Sequence, residues 1–133
     1  FDMQEELEMT AYAVLIEIRS EHDNSPDKWK RTLTHFFDEL TNELHNYGVR
    51  IIGHIKGFLD LEDAGYCYFS NTGDLQKTKA VSEIKNYAKN GKITFNVIVY
   101  GLEEESIEEI VKNKVEIIEE ELQAACQIIT KND

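Results

Sequence analysis

The chain has 133 residues, 41% of them hydrophobic and 30% charged, with 26 Asp and Glu against 14 Lys and Arg for a formal net charge of −12. That length suits one domain that buries its own core without a disulfide or metal staple, and the composition is ordinary for a globular protein. Phosphate backbones and anionic lipid surfaces are held by clustered positive charge, so the acidic balance argues against nucleic acid and membranes as partners.

The longest apolar runs, Ala11 to Ile16 and Val97 to Tyr100, are far too short to span a bilayer. No basic start followed by an apolar run marks a secretory signal, and Phe1 in place of Met points to a trimmed chain or a fragment of a longer one. We read 1–133 as a single α+β domain, with 1–9 as a disordered or appended leader. Cys67 and Cys126 fall on apolar faces, where a thiol behaves as a small hydrophobe, and two isolated cysteines make no disulfide framework. A reducing, cytoplasmic compartment is the corresponding expectation.

From Thr10 to Arg19, Tyr12, Val14, Ile16 and Ile18 alternate with Ala13, Leu15, Glu17 and Arg19, which predicts a mostly buried strand. The polar stretch Ser20 to Ser25 predicts a turn containing His22 and Asp23. Ser25 before Pro26 sets a capping hydroxyl ahead of a proline at the first helical position. Trp29, Leu33, Phe36, Phe37, Leu40 and Leu44 then recur at three- and four-residue intervals, until Asn46, Tyr47 and Gly48 supply a stop.

Val49 to Asp60 and Gly65 to Thr72 read as an antiparallel pair joined by Leu61 to Ala64. In the first strand Val49, Ile51, Gly53, Ile55, Gly57 and Leu59 point one way and Arg50, His54, Lys56 and Asp60 the other. Between Leu75 and Asn90, the spacing of Val81, Ile84 and Ala88 predicts a helix, closed by Asn90 and Gly91. Lys92 to Tyr100 alternates again and predicts a fourth strand. Ser106 and Glu109 form a capping box for a long last helix, whose face runs through Ile107, Ile110, Val111, Val115, Ile118, Leu122, Ala125 and Ile129. This order matches a ferredoxin-like βαββαβ fold: a four-stranded antiparallel sheet with helices on one face, plus a long C-terminal amphipathic helix.

Such a sheet leaves one face to water, a ligand or a partner. Glu17, Arg19, Arg50, His54, Lys56, Thr94, Asn96, Tyr66 and Tyr68 are expected on it, and the cations around His54 reverse the charge of the chain locally. Arg50, His54, Lys56, Tyr66, Tyr68 and Asn96 are therefore the candidate ligand-binding residues: cations for a carboxylate or phosphate, rings for stacking. Phe69 and Tyr100 are further candidates for stacking. The four histidines are scattered and neither cysteine lies in a CxxC pair, so no metal site and no cofactor is expected. No P-loop, dinucleotide fingerprint, HExxH or GxSxG occurs.

The expected function is binding without turnover: a small anionic or aromatic ligand on the open sheet face, in a chain that self-associates as a homo-oligomer through its sheet or last helix. One alternative is a small enzyme with His54 as general acid or base, assisted by Asp60, Tyr66 or Tyr68 and with Arg50 stabilising negative charge. The other is a purely structural protein–protein interaction module.

Overall fold

The computed structural model describes residues 8–49, 51–73 and 77–130. In chain order its elements are β1 (Met9–Asn24), α1 (Pro26–Asn46), β2 (Ile51–Asp60), a 3-10 turn (Glu62–Ala64), β3 (Gly65–Asn71), β4 (Lys79–Ile84), β5 (Ala88–Tyr100), α2 (Glu104–Leu122) and β6 (Ala124–Thr130). The strands form one sheet in the order β4-β3-β2-β5-β1-β6, with every neighbouring pair antiparallel. Because β1 and β2 both run antiparallel to the strand between them, β5, they are parallel to each other and α1 is their crossover. In the same way β5 and β6 flank β1, and α2 crosses between them.

This architecture corrects the expected four-stranded ferredoxin-like sheet with a long C-terminal helix. The stretch read as a helix is β4 followed by the start of β5. Its three apolar residues fall into different environments: Ile84 is buried, Val81 stands in solvent, and Ala88 opens β5. In β4 it is period two that operates, with Ala80, Ser82 and Ile84 on the covered side of the sheet and Lys79, Val81 and Glu83 on the other. The last helix stops at Leu122, where Gln123 takes a left-handed conformation at φ 51° and donates its N–H to the Glu119 carbonyl. Ala125 and Ile129, expected on that helix, lie in β6. Glu103 rather than Ser106 precedes α2, so the pair Ser106 and Glu109 sits inside the first turns. β1 also continues through the expected turn as far as Asn24.

α1 follows its sequence signals. Ser25 Oγ accepts the Lys28 N–H at 3.1 Å, Pro26 opens the helix, and Gly48 lies just beyond it at φ 89°. Both helices cover the same sheet face, and Lys114 of α2 reaches Glu43 of α1 at 3.1 Å. Beneath α1, Phe36, Phe37, Phe69 and Phe95 meet with centroids 5.1–5.6 Å apart, three of the four contacts edge-on. Full burial of each ring contributes roughly 1.5–3 kcal/mol. Gly57 makes room for this cluster, since a Cβ there would lie 2.6 Å from Phe37 Cζ. Trp29 fixes the helix against the sheet by donating its buried Nε1–H to the Ala88 carbonyl at 2.9 Å.

Candidate functional site

The helix-free face is organised by cross-strand register. Side chains directly opposite one another on adjacent strands have Cβ atoms about 4.5–5.5 Å apart, so register alone sets them in rows. One row runs Ala13, Asn96, Lys56, Ser70, Lys79. The next runs Ile129, Leu15, Thr94, Phe58, Tyr68, Val81, and the third Gln127, Glu17, Lys92, Asp60, Tyr66, Glu83. The middle row is apolar apart from one threonine. The first holds two lysines and no acid, and the third has three acids and one lysine.

Phe58, Tyr66 and Tyr68 form a compact aromatic group, with centroids 4.9 Å apart for Phe58 and Tyr68, 5.5 Å for the two tyrosines and 5.9 Å for Phe58 and Tyr66. Tyr68 is 53% exposed and Val81 beyond it 64%. Lys56 stands one row from Phe58 on the same face of β2, roughly 7 Å along the strand. Among the described residues no carboxylate pairs with Lys56.

Lys56, Tyr66, Tyr68 and Asn96 thus share the open face as the alternation predicts. His54 shares it too, one row further on and opposite Ile98. Gly53 forms a bulge there: it is the extra residue between the pairs Ile52 with Val99 and His54 with Ile98. Beyond the bulge the parity is reversed, so Ile52 is buried and Ile51 exposed, the opposite of an unbroken alternation. Arg50 lies outside the described residues. Asp60 is six steps along the strand from His54, which places it and its neighbour Tyr66 roughly 20 Å from the imidazole. Neither is in reach to assist it. Phe69, considered for stacking, faces the opposite way and is buried among the phenylalanines. Phe58, Lys79 and Val81 were missed by the sequence reading, although the period of two that runs through His54 and Lys56 continues to Phe58.

Clefts open elsewhere among the described residues. One of about 660 Å³ follows α1, lined by Asp27, Lys30, Arg31 and His35 with Glu121 of α2. Here His35 Nδ1 meets the Glu121 carboxylate, which ties the two helices. A second, about 810 Å³, lies between the start of β1 and the start of α2, and a third, about 430 Å³, lies near Arg19 and Gln123. His54 lines none of the three. Among the described residues no group of three or more His, Cys, Asp and Glu is placed to hold a metal ion. No helix among them is long and apolar enough to cross a membrane.

Both cysteines are free thiols on the helix side of the sheet. Burial raises Cys67, which is fully enclosed. Burial and then the nearby Glu119 carboxylate push Cys126 up to about 12, far from the range of a nucleophilic thiolate.

No family model matches the sequence, and no curated protein matches it. Among solved structures, a hydantoinase/carbamoylase family amidase from Burkholderia ambifaria superposes with a TM-score of 0.57 at 10% identity, over 93% of this chain and 28% of that one. The Zn(II)-bound YjiA GTPase from E. coli gives 0.43 at 14% identity, over 79% of this chain and 29% of that one. The first similarity is one of fold alone, and this chain spans less than a third of either protein.

Proposed function

We propose that this domain is a non-enzymatic binding module whose open sheet face takes a small planar anion with an aromatic body. The observation that carries this reading is the juxtaposition of Lys56 with the Phe58, Tyr66 and Tyr68 group, in an acidic chain and in a row that contains no carboxylate. A ring lying on Tyr68 and Phe58 would be held by offset stacking, worth about 0.5–1.5 kcal/mol beyond the area it buries. Its carboxylate or phosphate would meet the Lys56 ammonium, with Asn96 and Ser70 to either side as hydrogen-bond donors. Binding is favoured over turnover because Asp60 and Tyr66 lie roughly 20 Å along the sheet from His54, which lines none of those three clefts. The two free thiols suit a reducing, cytoplasmic setting.

The test is a titration of the protein with a panel of aromatic carboxylates and aryl phosphates, followed by amide chemical shifts. Shifts should concentrate on β2 and β3, and Lys56→Gln and Tyr68→Leu should each weaken the best binder by about three- to tenfold. Shifts confined to the α1 cleft, or equal affinity in the parent and Lys56→Gln, would overturn the reading.

A further inference from the structure

We infer that the outer edge of β4 is a self-recognition surface, which pairs antiparallel with β4 of a second copy of this chain and joins two six-stranded sheets into one. Among the described residues nothing pairs with the far side of β4, so its outward backbone N–H and C=O groups are unpartnered by the sheet. Exposed edges invite pairing, and what a particular edge accepts is decided by its side chains.

The order Lys79, Ala80, Val81, Ser82, Glu83 is self-complementary about its centre. In a two-fold antiparallel pair with Val81 opposite Val81 of the second copy, Lys79 of each chain falls opposite Glu83 of the other, and Ala80 opposite Ser82. Lys79, Val81 and Glu83 all lie on the helix-free face, so both charge pairs and the central apolar contact form on one side. Slipping by two residues sets each Lys79 against Val81 in one direction, with Glu83 opposite Lys77 beyond the start of the strand, or each Glu83 against Val81 in the other, with Lys79 opposite Lys85. Within β4, opposite charges meet only in the register centred on Val81. Glu83 meets Lys85 at 3.0 Å in the single chain, but both side chains are well exposed, so that pair costs little to exchange.

A second observation points the same way. The apolar row Leu15, Thr94, Phe58, Tyr68, Val81 runs across the sheet and ends at the edge on Val81, which is 64% exposed. Across the two-fold axis the row continues into Val81, Tyr68 and Phe58 of the second copy, which covers the valine that one chain leaves in water. β6, the other edge, has no charged residue between Ala124 and Thr130 and so carries no such register. The ligand reading does not depend on this pairing, and its Lys56 lies two strands in from the edge.

The experiment is sedimentation equilibrium of the full chain up to about 500 μM, since a strand of this length buries less area than a standard stable interface. The parent should move with concentration from 15.4 kDa toward twice that mass. Lys79→Glu and Glu83→Lys alone each turn two attractive pairs into two repulsive ones and should weaken association about tenfold or more, while the double exchange K79E/E83K should restore it. Helicity measured by circular dichroism should be the same in all four proteins, since these side chains are exposed. A parent that stays at 15.4 kDa at every concentration overturns the inference. So does a dimer indifferent to the single reversals, which would place the contact at β6 or on a helix, and so does a double exchange as weak as either single change.

Discussion

Cys126 shows how a side chain can be chemically silenced by position. It faces the helices from β6, its backbone N–H donates to Glu119 Oε2 at 3.2 Å, and the same carboxylate sits close enough to oppose ionisation after burial has already done so. Iodoacetamide at pH 8 should therefore modify Cys126 far more slowly in the native protein than in urea. Glu119→Gln, which keeps an acceptor oxygen and removes the charge, should speed the native reaction severalfold. Native and unfolded rates that coincide would contradict this. The sign for stability follows from a folded value of about 12 against an ordinary 9.0. The unfolded thiol ionises first, so the benefit is present below pH 9 and is lost as pH rises toward 12. At this scale the sequence was legible wherever alternation ran unbroken, as for Lys56, Tyr66, Tyr68 and Asn96. It misled at Ile51 and Ile52, because the bulged Gly53 changes the parity; a glycine inside a strand signals helix packing or a bulge alike, and here Gly53 is the bulge while Gly57 makes room for Phe37.

Among the elements, α1 was readable because independent signals agreed: a hydroxyl cap, a proline at the start, a stripe of large apolar residues and a glycine after the end. Ser25→Ala removes the acceptor for the Lys28 N–H and should cost about 1 kcal/mol, seen as a lower urea midpoint with an unchanged slope. A midpoint equal to that of the parent would mean that water replaces the cap fully. β4 and β6 were not readable for a physical reason. Val81, Ile84 and Ala88 satisfy a helical spacing by coincidence, and the strand pairing that overrides it comes from β3, which local pattern does not contain. At the other end α2 runs into β6 without glycine or proline, and its stop is Gln123 in a left-handed conformation that non-glycine residues seldom take.

Over the whole molecule the dominant quantity is the net charge of −12. Like charges on a compact body repel, and salt screens that repulsion over a Debye length that falls as ionic strength rises. The melting temperature should rise by a few degrees between about 20 and 300 mM NaCl. A flat or falling profile would show that local ion pairs such as Lys114 with Glu43 outweigh the general repulsion.

The position of β5 has a further consequence during synthesis. It is the thirteen-residue strand that fills the gap between β1 and β2, yet it leaves the ribosome only after both of them, α1 and the β3–β4 hairpin. Until residue 88 emerges, the nascent chain holds two strands with nothing to bridge them, and the aromatic side chains of α1 lack Phe95 to close over. Assembly has to wait for sequence-distant pairing, which slows it and lengthens the time for which sticky surface is on view. A stalled or prematurely released product ending in the eighties should be a client for chaperones, whereas one reaching Tyr100 already has the centre of its sheet.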